Sequence, residues 1–400
     1  MMKMSARVLA ASEIWHDILR GSLIDQAVKS WSLANRYAGS GDRRAITAIL
    51  YAMARNRYSF GGGDDLAMAL AICDHEGLGQ SRELHQEGLE HPLENIRQAY
   101  ENIEVIPSFG HEIEMPEWLK GYFVGGVDAI QGLHARAGIV LREHPHRPLM
   151  DHQELLSLGF SRTSMSPIGW EKPHEDKRMH LEELTAFQDG FLEVQDEASQ
   201  MACLLLAPGL TGKMLDYCAG GGGKSLLITS ANPSLKVFVH DHEPKRMRDV
   251  PARFGRAKLT VPSKWDQFDR DFDLVLADVP CTGSGTWRRQ PERRWQCDQN
   301  ELAGLLATQA KILRKTAALV RPGGLLAYMT CSLLENENMG QVSAFLESSE
   351  EFDALPLAEW PGMSGQFPLP YLRGQYWLQW SPHVDGTDGF FMALLKKRAA

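Results

Sequence analysis

At 400 residues the chain is long enough for two or three domains, each with its own core. Its 42 basic and 51 acidic residues give a formal charge of −9, so a nucleic-acid partner gets no help from net charge and must be held by local basic patches. Hydrophobic residues at 44% and charged residues at 23% are those of an ordinary soluble globular protein, and no run of about 18 apolar residues occurs, so no membrane span is expected.

The first 17 residues carry Lys3, Arg7, Glu13 and Asp17 without an unbroken apolar core, which is not the pattern of a signal peptide. Residues 1–107 read as helical. Val8, Leu9, Ile14, Ile18 and Leu19 recur at helical spacing, and Ile46, Ile49, Leu50 and Met53 repeat the pattern. The break from Ala38 to Asp42 supplies a turn, with Ser40 or Asp42 as the N-cap of the next helix. Residues 108–190 are rich in His, Pro and Glu and only weakly periodic; a small mixed α/β linking domain is expected there.

From 191 to 400 short apolar runs (213–217, 236–240, 272–277, 325–329 and 390–395) alternate with helical patterns at 301–320 and 336–346. Strands alternating with helices predict a mostly parallel, doubly wound sheet. The run from Met214 to Ser225 contains four consecutive glycines, Gly220 to Gly223, between a strand and a helix, a geometry that brings a ligand to helix N-terminal N–H groups. Three ligands compete. A P-loop would need glycine at Cys218, a dinucleotide turn would need glycine at Ser225, and an S-adenosylmethionine site wants a carboxylate after the second strand, where Asp241 stands.

Two later strands end in cysteine. One runs into Asp278-Val279-Pro280-Cys281; the other, after the turn Pro322-Gly323-Gly324, ends in Thr330-Cys331-Ser332. Carboxyl ends of parallel strands form the ligand crevice of such sheets, so Asp278, Cys281 and Cys331 are expected to converge. A thiolate adding to carbon 6 of cytosine turns carbon 5 into a nucleophile able to take a methyl group from a sulfonium, and a carboxyl group near N3 and N4 can hold the ring. The residues themselves leave open which thiol attacks. Cys73, Cys203 and Cys297 read as buried small hydrophobes. No C-x-x-C pair occurs, and the sparse cysteines fit a reducing, cytoplasmic setting.

These segments resemble the RsmB/Fmu/Sun family of RNA cytosine-C5 methyltransferases. Its loop D-x-C-A-x-P-G-G-K is matched at Asp216 to Lys224, with Gly221 in place of the proline. D-x-P-C-[ST]-G-x-G is matched at Asp278 to Gly285, and T-C-S-x-x-x-x-E-N at Thr330 to Asn338. The stretch Val194 to Gln200 resembles the V-Q-D-E-A-S-Q entry to the catalytic domain, and Asp388 to Phe391 its D-G-F-F final strand. Residues 36–44 resemble a helical NusB-like RNA-binding extension. Leu141 to His144 resembles a segment that reads L-R-V-N in the family, without its asparagine.

The resemblance implies a Rossmann-like class I S-adenosylmethionine methyltransferase domain behind a NusB-like domain and the linking domain. It implies Cys331 as nucleophile, Cys281 as the thiol assisting adduct breakdown, Asp278 on the target base and Lys224 nearby. Cys218, Ala219, Gly220, Gly221, Gly222, Gly223, Lys224, Asp241 and Asp278 would line the S-adenosyl-L-methionine site, with Asp266 as the candidate adenine contact. The substrate would be RNA, ribosomal RNA foremost. The other readings are a transfer-RNA methyltransferase and a non-catalytic RNA-binding ribosome-assembly factor.

Arg288, Arg289, Arg293 and Arg294, flanked by Trp287 and Trp295, suit phosphate contacts and base stacking, and Arg43 and Arg44 could add to them. Lys311, Arg314 and Lys315 read as a solvated helix face. His111, His144, His146 and His152 are irregularly spaced and read as surface histidines, so no metal is expected. A monomer is expected.

Overall fold

In a computed structural model of the chain, residues 2–57, 115–174, 179–268, 270–365 and 367–399 are described, together with positions 65, 68, 69 and 73. The helical reading of 74–107, the start of the linking domain and His111 lie outside the described residues. The chain divides into two units. One holds Met1–Lys120 and Trp287–Asp298; the other holds Gly121–Thr286 and Gln299–Ala400.

The first unit contains α1 (Met4–Leu19), α2 (Ile24–Ala34) and α3 (Ser40–Asn56). Val8, Ile14, Trp15 and Ile18 of α1 meet Ile24 and Val28 of α2 and Ile46, Ile49 and Met53 of α3 in one apolar cluster. Each such side chain contributes roughly 1.5–3 kcal/mol when fully buried. The break at 38–42 works differently from expectation. Helix α3 begins at Ser40, and Asp42 caps it from inside, accepting the Gly39 N–H at 3.1 Å. Asp42 is held there because Arg7 Nη2 and the Met2 N–H also donate to it, at 2.9 and 2.8 Å.

Residues 287–298 complete this unit. Trp295 packs on the helical cluster with its ring 5.8 Å from Trp15, and Arg57 lies 4.7 Å above it. Glu292 Oε1 accepts the Ile24 N–H at 3.1 Å, capping a helix whose own N-cap, Leu23, has no acceptor to offer.

In the second unit, β1 (Ile139–Glu143), β2 (Ser161–Arg162), β3 (Gly169–Lys172) and β4 (Leu192–Val194) form an antiparallel sheet in the order β2-β3-β1-β4. Its last strand lies beyond the expected boundary at 190. The segment that follows β4 fastens onto this sheet. In α4 (Glu197–Leu206), Gln200 Nε2 donates to Leu141 O at 3.1 Å, and Glu197 Oε1 accepts the Met165 and Ser166 N–H groups at 2.6 and 2.7 Å. Asp196 caps α4 through the Ala198 N–H and also accepts the Asp388 N–H at 3.1 Å.

The large sheet contains β5 (Lys213–Asp216), β6 (Lys236–Val239), β7 (Ser263–Lys264), β8 (Phe272–Asp278), β9 (Val320–Thr330), β10 (Phe352–Ala354), β11 (Leu372–Arg373), β12 (Trp377–Trp380) and β13 (Phe390–Lys397). The order is β11-β12-β13-β9-β8-β5-β6-β7, with β10 also on β13. Strands β5 to β9 pair in parallel, and β13 runs antiparallel against β9. This is the Rossmann-like arrangement expected. The chain moves outward from β5 to β6 and β7, then returns to β8 on the other side, so a topological switch point lies between β5 and β8. The strands are buried on both faces, between α5 (Gly223–Ala231) and α4 on one core and α6 (Gln299–Ala317) and α7 (Met339–Ser348) on the other. Helix α7 starts three residues later than expected because Glu337 and Asn338 are spent on side-chain bonds to Thr282 and Thr330.

Candidate active site

The glycine loop follows β5 at the switch point. Gly220 and Gly222 have φ of +51° and +72°, a region side chains rarely adopt, and a Cβ on Gly222 would stand 3.0 Å from Val250. The Ala219 N–H donates to His240 O and the Gly220 N–H to Asp241 Oδ2, both at 2.8 Å, so the loop is seated on the end of β6. Asp241 is buried; its Oδ1 accepts the Glu243 N–H at 2.9 Å and Arg246 lies 3.3 Å from its Oδ2. Gly221, where the family has proline, is held instead by Arg253, whose Nη1 donates to its carbonyl oxygen at 2.6 Å while Nη2 donates to Glu193 at 2.9 Å.

Asp216 ends β5. One oxygen accepts Ser225 Oγ at 2.5 Å; the other is buried without a partner. Burial pushes this carboxyl up to about 6, against the Ser225 hydrogen bond that lowers it. A cleft of about 210 Å³ opens beside it, lined among others by Asp216, Gly223, Lys224, Asp278, Gln195 and Arg253.

The expected convergence of Asp278, Cys281 and Cys331 is present. Strands β8 and β9 are parallel neighbours, with Asp278 opposite Met329, and Cys281 Sγ lies 3.5 Å from Cys331 Sγ. The Val279 N–H donates to Met329 O and the Gly285 N–H to Cys331 O, both at 3.0 Å, so backbone bonds bracket the thiol pair. The contact with Cys331, then burial, push the Cys281 thiol well up. Lys224 Nζ donates to Asp278 Oδ2 at 2.6 Å. Burial pulls this ammonium down, but the charge and hydrogen bond of Asp278 outweigh it and hold it above its ordinary range. Lys224 and Asp278 line the cleft, Cys281 follows Asp278 by three residues, and Cys331 follows the end of the neighbouring strand, a set of groups that nucleophilic catalysis on a polar ring requires.

Other expected residues fall elsewhere. Cys218 is half-buried in the glycine loop, and what burial it has raises its thiol, which suits a packed rather than a reacting group. Asp266 follows β7 and is exposed, accepting the Phe268 N–H at 2.9 Å. Of the arginine run, Arg288 and Arg294 are buried at 8% and 2% exposure, a correction to the expected RNA-facing set that follows from the packing of 287–298 into the helical unit. Arg289 and Arg293 are partly exposed, and Arg43 and Arg44 are exposed on the first turn of α3.

His146 is exposed, but His144 is buried and pushed down to about 4, mainly by burial, so it is a neutral core residue rather than a surface histidine. Among the described residues no group of His, Cys, Asp and Glu is arranged to hold a metal, and no helix is long and apolar enough to cross a membrane. Sequence reasoning gave no role to Arg253, Thr282, Gln309 or Glu337. Only the E-N of the second cysteine motif pointed at the last of these.

The family model described as 16S rRNA methyltransferase RsmB/F matches residues 203–396, which contain β5 to β12, all of β13 but its last residue, and both Cys281 and Cys331. Residues 203–396 belong to the RsmB/F methyltransferase family. Ribosomal RNA small subunit methyltransferase B of Vibrio cholerae is 30% identical over 305 residues, 72% of this chain and 66% of that protein. Its counterpart in Pasteurella multocida is 29% identical over 306 residues, 70% and 65% respectively. A putative methyltransferase of Mycobacterium tuberculosis is 38% identical over 225 residues, 54% of this chain and 48% of that one. The match thus spans just under two thirds of the first two relatives and about half of the third.

Among solved structures, PH0851 aligns with a TM-score of 0.72 at 21% identity, covering 99% of both chains. NSun6 from Pyrococcus horikoshii, solved with SFG, aligns at 0.59 and 16% identity over 71% of this chain and 97% of its own. These likenesses establish the Rossmann-like fold.

Proposed function

We propose that this chain is an S-adenosylmethionine-dependent RNA cytosine-C5 methyltransferase acting on ribosomal RNA. The observation that carries the reading is the Cys281–Cys331 pair, 3.5 Å apart, at the strand ends that also present the Lys224–Asp278 ion pair.

The residues fit the methyl donor. Asp216 keeps a buried oxygen without a partner beside a cleft, suited to a cationic amine. The loop 218–223 admits close backbone approach, Asp241 stands where ribose hydroxyls need a carboxylate, and Asp266 follows the next strand as the adenine contact. S-adenosyl-L-methionine supplies the methyl group as a sulfonium.

Cys331 Sγ adds to carbon 6 of a flipped cytosine, and the electron pair of the C5–C6 double bond becomes available at carbon 5. Asp278, with Lys224 against it, holds the N3–N4 edge and steadies the charge that develops there. After methylation, carbon 5 loses its proton and the Sγ–C6 bond breaks, which restores the ring and frees the Cys331 thiolate. Cys281 is the neighbouring group placed to assist that release.

The helical unit supplies the NusB-like RNA-binding surface, with Arg43 and Arg44 exposed on it and Arg289 and Arg293 partly so. The protein works as a cytoplasmic monomer without metal.

RNA substituted with 5-azacytidine should form a denaturant-stable protein adduct with the unaltered protein and none with Cys331→Ala. Absence of adduct in the first, together with full methylation by the second, would sink the proposal. Bisulfite sequencing of total RNA with and without the gene reads the substrate; loss of methylation in transfer RNA alone would move the target, and no loss anywhere would favour the assembly-factor reading.

A further inference from the structure

The structure assigns to Glu337 the positioning of the releasing thiol. This rests on the proposed roles of Cys281 and Cys331. Glu337 is fully buried, and its carboxylate collects donors from the residue after each cysteine. Oε1 accepts the Thr282 N–H at 2.9 Å, and Oε2 accepts Thr282 Oγ1 at 2.6 Å and Ser332 Oγ at 2.5 Å. The carboxylate is itself held by the framework. Gln309 Nε2 on α6 donates to Oε1 at 2.9 Å, and Tyr328 OH on β9 donates to the Glu337 carbonyl oxygen at 2.6 Å.

The two loops depend on Glu337 unequally. The Cys331 loop has anchors of its own. Thr330 Oγ1 donates to Asn338 Oδ1 at 2.5 Å, and Asn338 Nδ2 donates to Ser332 O at 2.9 Å. Thr282 sends two hydrogen bonds to this carboxylate, from its backbone N–H and its hydroxyl, where Ser332 sends one, and Gln309 Nε2, which holds Oε1, also donates to the carbonyl oxygen of Pro280 beside Cys281 at 3.0 Å. Removing an acceptor from Glu337 therefore displaces Cys281 more than Cys331. Attack by Cys331 continues while release of the adduct slows, because a displacement of about 1 Å is enough to cost on the order of 100-fold in a positioned step.

The test uses the full chain with unsubstituted target RNA and S-adenosylmethionine. Glu337→Gln, which replaces one acceptor oxygen by an amide donor at equal volume, should lower turnover about 10- to 100-fold with KM for RNA within about twofold, and should accumulate denaturant-stable adduct. Thr282→Val should accumulate adduct in the same direction. Thr282→Ser, which keeps the hydroxyl, should recover most of the turnover lost in Thr282→Val. The threonine pair decides the matter if Glu337→Gln does not fold. Cys281→Ala, run alongside, separates the two levels. No adduct in Cys281→Ala overturns the release role of that thiol and this inference with it. Adduct in Cys281→Ala but none in Glu337→Gln and Thr282→Val overturns the assignment to Glu337 alone.

Discussion

The Gly389 N–H donates to the carbonyl oxygen of Gly285 at 2.8 Å, and a Cβ added to Gly389 would stand 2.5 Å from Gly285 Cα. The loop that carries Cys281 is thereby pressed backbone to backbone against the turn that opens β13. Two glycines more than 100 positions apart are required by one contact, which explains their place in two separate motifs. Gly389→Ala should destabilise the protein by about 1–3 kcal/mol, the usual penalty for forcing extra volume into a packed site. Thermal unfolding should show a lowered midpoint, and an unchanged midpoint would mean the contact relaxes freely.

Asp216 makes stability depend on pH. Its carboxyl is raised by burial to about 6 in the fold, from 3.8 as the ordinary value. A raised carboxyl favours the folded state most below about pH 4, and that contribution is lost as pH rises through about 6. Asp216→Asn keeps an acceptor for Ser225 and removes the titration. The variant should gain stability relative to the unaltered protein between pH 4 and 7 by roughly 2–3 kcal/mol, read from denaturant unfolding at both pH values. A constant difference would contradict the burial of an ionising group. The same variant should bind S-adenosylmethionine more weakly.

Asp241→Ala removes the acceptor of the Gly220 and Glu243 N–H groups along with the proposed ribose ligand. Calorimetry should show S-adenosylmethionine affinity reduced at least about tenfold, since hydrogen bonds to a charged group are worth about 1.5–3 kcal/mol. Unchanged affinity would refute its assignment.

Glu292→Ala deletes the acceptor for the first N–H of α2, and with it a negative charge at a helix N-terminus. The helical unit should lose about 0.5–2 kcal/mol, detected as earlier helical melting by circular dichroism. Glu292→Gln, which retains an acceptor oxygen, should lose less.

The catalytic half was legible because its signals are local. Short apolar runs separated by helical patterns marked β5, β6, β8, β9 and β13, and glycine and cysteine motifs sit at their carboxyl ends. The two-residue strands β7 and β11 and the three-residue β10 are too short to show alternation, and register against longer neighbours decides them. Glu337 was not legible as a hub, because its donors come from Thr282 and Gln309, which lie 55 and 28 positions away. The arginine run misled for a related reason. Charge and aromatic content read as an exposed face, whereas Trp295 and Arg294 are spent on packing and burial inside the helical unit.

Residues 287–298 also determine how this protein can be taken apart. They are a strip of the helical unit encoded in the middle of the catalytic half, so a chain begun at residue 121 has not shed a domain. It still carries Glu292 with no helix start to cap and Trp295 without the indole of Trp15. Residues 2–120 produced alone would lack one wall of their own core. A clean separation needs the strip excised and replaced by a short polar bridge, with the excised peptide returned to the helical fragment as a separate piece.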